Sequence, residues 1–179
     1  KTNLFTSQLY YTASFNKKIN TGKPPVAVFN DTLLYPDEKH FKNVQQLTFG
    51  GDNAEAYFSY DGKWIVFQRT SLKDGIPCDQ MFIGKLPAPG EKFEYKPVST
   101  GKGRTTCGAF MKDGKHVIYA STHLGADICP PVPDRKKYGN KYIWPLYDSY
   151  DIFQADLNGK IVKQLTKSKG YDAEATISP

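Results

Sequence analysis

Two stretches of the chain repeat each other without a gap, and this constrains the fold more than any compositional figure. Residues 47–68 end in Asp61-Gly62-Lys63 followed by Trp64-Ile65-Val66-Phe67, and residues 99–120 end in Asp113-Gly114-Lys115 followed by His116-Val117-Ile118-Tyr119. A third copy opens at Leu165-Thr166, where Asp172-Ala173-Glu174-Ala175 matches Asn53-Ala54-Glu55-Ala56 almost letter for letter. A tandem repeat of this kind means one supersecondary unit stacked on its neighbours, because a single unit cannot bury its apolar face alone.

Within each copy the residue types select β-structure. Asp-Gly is a strong hairpin signal, since glycine accepts the positive φ of a tight turn, and the β-branched and aromatic run after it reads as the returning strand. Gln80–Leu86 and Phe93–Val98 read as the third and fourth strands of the first unit; Tyr150–Asp156 and Ile161–Leu165 take those places in the second. Asn158-Gly159 marks the hairpin turn between the latter pair. No segment carries a helical pattern, so the chain is expected to be all-β.

Four antiparallel strands per unit describe a β-propeller blade. The expected blades span about 53–100 and 105–166, with a third beginning at 171. Both repeat intervals exceed the ~40–45 residues of a bare blade. The second carries the larger excess, between about Leu124 and Ser149, in a Pro- and aromatic-rich stretch that suggests an ordered loop. Propellers close with ~4–8 blades, so the chain is expected to be part of a six- to eight-bladed ring. Thr176–Pro179 would start the third blade's inner strand, and its open face would be covered by chain beyond Pro179 or by another chain. Val44–Thr48 resembles Val162–Thr166 and reads as the outermost strand of a preceding blade. Residues 1–43 lie outside the repeats, with Val26–Phe29 and Thr32–Tyr35 as candidate strands.

Composition narrows the function classes. The 179 residues include 24 Lys+Arg against 18 Asp+Glu, a net charge of +6, and 14% are aromatic. The longest basic run, Arg135-Lys136-Lys137, is too short for a nucleic-acid stripe, so no nucleic-acid partner is expected. No apolar run approaches the ~20 residues of a membrane-spanning helix, so no transmembrane segment is expected.

The tandem Leu-Thr, Asn/Asp-Ala-Glu-Ala and Asp-Gly-Lys elements, over residues 44–179, resemble the TolB-like propeller repeat, a WD-like repeat found mostly in bacterial proteins. The second copy departs from it, with Thr105-Thr106-Cys107-Gly108 in place of Asn-Ala-Glu-Ala. The resemblance implies a non-catalytic interaction module, periplasmic or envelope-associated, that binds a protein or peptide. Such repeats also occur beside peptidase or amidohydrolase domains, which makes an accessory propeller of a hydrolase the alternative.

In a propeller the residues entering each inner strand surround the channel mouth. Asn53, Glu55, Arg104, Thr106, Asp172 and Glu174 are therefore the candidate ligand-binding residues. Carboxylates repeated about one axis could hold a cation such as calcium, or a basic group of a partner; the alternative is hydrogen bonding to neighbouring blades. No other cofactor is expected. Propeller connectivity puts Cys78, Cys107 and Cys129 on one face, which makes Cys78–Cys107 the candidate disulfide with Cys129 as a competitor, and an oxidised pair would suit an oxidising compartment. Three free thiols, or a metal cluster with His123, are the alternatives. No catalytic motif is present, so no enzyme activity is expected: Ser121, His123 and Asp127 are neighbours in sequence only, and packing suffices for His116. The Tyr138–Tyr150 stretch either stacks on a ligand or pins its own loop.

Overall fold

The hairpin turns explain why the strands begin and end where they do. In the computed structural model, Asp61 Oδ1 accepts the Ser59 hydroxyl at 2.7 Å and the Lys63 N–H at 3.1 Å, while Gly62 holds φ +67°. Asp113 Oδ1 repeats the device, accepting the Lys115 and His116 N–H groups at 2.8 and 3.1 Å beside Gly114 at φ +62°. A carboxylate that accepts the backbone donors of its own turn fixes the reversal, and glycine removes the steric cost of the positive φ. Asp156 uses the same chemistry at Asn158 and Lys160.

The structure describes residues 10–12, 35–88 and 90–178. Strands β1 (Tyr10–Thr12) and β2 (Val44–Gln46) form a two-stranded ladder. Strands β3 (Asp52–Phe58), β4 (Trp64–Ser71), β5 (Ile76–Lys85) and β6 (Tyr95–Pro97) form one antiparallel sheet in chain order. Strands β7 (Thr105–Phe110), β8 (His116–Ser121), β9 (Asp151–Asp156) and β10 (Ile161–Gln164) form a second with the same order. Helical structure among the described residues is confined to two 3-10 turns, Leu72–Asp74 and Arg135–Tyr138. None of it is long and apolar enough to cross a membrane.

Alternation along the strands decides what each sheet buries. In β4 and β5, Val66, Met81 and Ile83 point to one face, whereas Ile65, Phe67 and Phe82 point to the other. In β8 and β9, Val117, Tyr119, Phe153 and Ala155 face the first sheet; Ile118, Ala120 and Ile152 face away from it. The repeat sets Val66 opposite Ile118 and Phe67 opposite Tyr119, so the sheets meet through unlike faces, head to tail. In the shared core Val66, Met81, Ile83, Val98 and Val117 are fully buried. At ~25 cal/mol per Å² of apolar surface, this interface outweighs any single polar contact in the chain.

Residues 171–178 continue the series without forming a ladder. Tyr171, Ala173, Ala175 and Ile177 lie on the outward face of the second sheet, against Ile118, Ala120, Tyr150 and Ile152. The Asp172 N–H donates to the Tyr150 carbonyl at 3.1 Å. Of the inner strand expected from Thr176 onward, residues 176–178 are not in a strand, and Pro179 lies outside the described residues. Val26–Phe29 and Thr32–Leu34 lie outside them as well, and Tyr35 is not in a strand. Strand β1 was not anticipated from the sequence.

The cysteine pairing differs from the favoured expectation. Cys78 is bonded to Cys129, with Cα atoms 6.0 Å apart, and Cys107 is free. The reason lies in the loop after β8: the Gly103 N–H donates to the Asp127 carbonyl at 2.9 Å, and Lys102 pairs with the Asp127 carboxylate at 2.8 Å. These contacts fold Cys129 back to the start of β5, where the Cys78 sulfur lies 3.0 Å from the Gly103 carbonyl. Cys107 sits in a strand irregularity and lines a cleft instead.

Candidate functional site

One repeat position recurs with the same unusual backbone. Glu55, Cys107 and Glu174 have φ of +49°, +50° and +61°, a region that residues with a Cβ adopt at a cost of about 1–2 kcal/mol. In β3 and β7 the register against the next strand shifts at this point, between Ala54 and Tyr57 and between Thr106 and Ala109. Glu55 and Cys107 therefore lie in β-bulges, which re-aim a side chain, whereas Glu174, outside any strand, shares only the backbone conformation.

The three positions open onto one cleft of about 890 Å³, lined by Glu55, Cys107 and Glu174 together. Tyr57, Tyr60, Tyr142 and Trp144 contribute aromatic walls, and Gln68 and Thr106 also line it. Gln68 ties the sheets together there, its Oε1 accepting the Thr106 hydroxyl at 3.0 Å and the Cys107 N–H at 3.4 Å. Trp144 is fixed by donating its indole N–H to the Tyr171 hydroxyl at 2.9 Å. The Tyr57 hydroxyl donates to Glu55 Oε2 at 2.7 Å, and because ionisation would forfeit that hydrogen bond the phenol is raised to about 12, with burial and the Glu55 charge adding to the rise. Burial pushes the Cys107 thiol up, the Thr106 hydroxyl partly offsets this, and the Glu55 and Glu174 charges add to the rise.

The six candidate residues divide. Glu55 and Glu174 reach the cleft as exposed carboxylates, and Thr106 lines it from a buried position. Asn53 is turned away: buried, it donates to the Gly50 carbonyl at 3.3 Å and accepts from Arg69 at 3.0 Å. Asp172 accepts the Ser168 hydroxyl. Arg104 sits beside Asp79, its Nε 3.9 Å from the carboxylate, and does not line the cleft. Counting from the shared Asp-Gly turn, the counterparts of Asn53 and Glu55 are Thr105 and Cys107, so the missed site residue is Cys107 itself. The signal was in the alignment, where Cys107 falls under Glu55.

Other candidates have structural partners. Among the described residues no three His, Cys, Asp or Glu side chains gather to hold a metal ion. His123 Nδ1 lies 2.9 Å from the wholly buried Ser121 hydroxyl and its ring lies 4.4 Å from that of Phe153, while Asp127 pairs with Lys102. These three do not form a relay. His116 pairs with Asp113 at 2.6 Å in its turn. In the aromatic stretch, Tyr147 donates to the Pro131 carbonyl at 2.6 Å and Tyr150 meets Tyr171 edge-on, so part of it pins the loop while Tyr142 and Trp144 face the cleft.

No family model matches the chain, and no curated protein matches it.

Proposed function

We propose that the chain is part of a β-propeller of TolB-like type that binds a protein or peptide and carries no catalysis of its own. The observation that carries this reading is the convergence of three repeat-equivalent residues with positive φ, Glu55, Cys107 and Glu174, on one aromatic-walled cleft. Head-to-tail stacking of four-stranded sheets supports the propeller part, since a ring requires each blade to present unlike faces to its two neighbours. A concave site with a few polar groups among apolar walls suits an extended segment with one or two anchoring side chains. The Cys78–Cys129 disulfide supports an oxidising compartment, which in a bacterium is the periplasm or cell envelope.

The experiment is to pan a random-peptide display library against the chain and counter-select with Trp144→Ala. Enriched peptides whose binding disappears in that variant are expected. Enrichment of none that depends on Trp144 contradicts the reading.

A further inference from the structure

We infer that the cleft receives a positively charged side chain, a lysine or arginine presented by an extended peptide. The inference rests on the peptide-binding reading above and names the partner's chemistry. The chain carries 24 Lys+Arg and a net charge of +6, yet among the described residues no lysine, arginine or histidine lines the cleft. Among the described residues its charged lining groups are the Glu55 and Glu174 carboxylates. They come from β3 and from the segment laid on the second sheet, far apart in sequence, so folding alone brings them together.

The walls fit the same cation. Tyr57, Tyr60, Tyr142 and Trp144 are 49, 56, 71 and 43% exposed. A guanidinium or ammonium within ~6 Å of such ring faces is attracted by their quadrupoles, and Trp is the best partner. Glu55 spends Oε2 on the Tyr57 hydroxyl, which holds the carboxylate in place and keeps the phenol neutral. Cys107 adds no competing positive charge. The positive surface elsewhere does not cancel this local field, because at physiological salt charges are screened beyond about 8 Å.

The test is calorimetric titration of the full chain at physiological salt with tetra-arginine and with its uncharged isostere tetracitrulline. Tetra-arginine is expected to bind at least about tenfold more tightly than tetracitrulline, and the Glu55→Gln/Glu174→Gln double variant is expected to lose about tenfold in its affinity. Circular dichroism of that variant should be unchanged, since both residues are exposed. Equal affinity for the two peptides, or an unaltered affinity in the double variant, overturns the inference. If binding of either peptide is lost in Trp144→Ala but ignores the glutamates, the cation fails and the peptide site stands. No Trp144-dependent binding of any peptide, here or in the display experiment, overturns both.

Discussion

Glu55 shows how a single residue can be placed against its own backbone preference. Its φ of +49° suits glycine, yet a glutamate occupies it with the carboxylate in the cleft. Strain retained at repeat-equivalent positions points to a use for the side chains there, which is the inference from outlier to function. The consequence is measurable by urea denaturation. Glu55→Gly should match or slightly exceed the parent in stability, and Glu55→Val should fall about 1–2 kcal/mol below Glu55→Gly, because a β-branched Cβ is worst tolerated in that region. Equal stability of the two variants would remove the strain from the account. The strain itself was not legible in the sequence: no letter in Ala-Glu-Ala announces a bulge, and only the pairing partner across the ladder creates it.

The hairpins lie at the other extreme, since Asp61-Gly62 and Asp113-Gly114 announced their turns, and the strands flanking them are where the sequence placed them. Hydrogen bonds from the Ser59 hydroxyl and the Lys63 N–H hold the Asp61 carboxyl below its usual range, and His116 and the Lys115 N–H do the same for Asp113. A carboxylate lowered in the folded state stabilises the fold above its unfolded value of about 3.9, and that contribution is lost as pH falls through the folded value. Both side chains are largely exposed, so screening keeps each effect small. Carboxyl NMR titration should place Asp61 and Asp113 below freely solvated aspartates, and Asp113→Asn should flatten the acid limb of the stability profile; ordinary titration at both sites would refute the turn assignment. The cysteine pairing was less legible, because the path of the Leu124–Cys129 loop depends on Gly103 and Lys102 contacts that no motif encodes. The Cys78–Cys129 bond closes 51 residues, for which loop-closure entropy predicts about 4 kcal/mol. The Cys78→Ser/Cys129→Ser variant should lose ~2–4 kcal/mol in urea denaturation while Cys107 stays alkylatable in the parent, and blocking of Cys107 in place of Cys129 would contradict the pairing.

At the scale of the whole molecule, the repeat made the stacking of like units legible but not its direction or what it brings together. Val66 and Ile118 are equivalent letters, and only packing shows that one faces the next sheet while the other faces the segment 171–178. Arg104 precedes β7 and lies beside Asp79, whereas the bulge one residue after Thr106 turns Cys107 into the cleft. Head-to-tail stacking carries Glu55, Cys107 and Glu174 into one cleft, and Cys107 reports on it because only its thiolate alkylates. The decisive measurement is the pH profile of iodoacetamide alkylation of Cys107 in the parent, in Glu55→Gln and in Glu174→Gln. A parent midpoint above that of an unperturbed thiol is expected, raised by burial and, further, by the two carboxylates, with a lower midpoint in each variant. A parent midpoint at the ordinary thiol value, or one that neither substitution moves, would show that the three residues do not share a site.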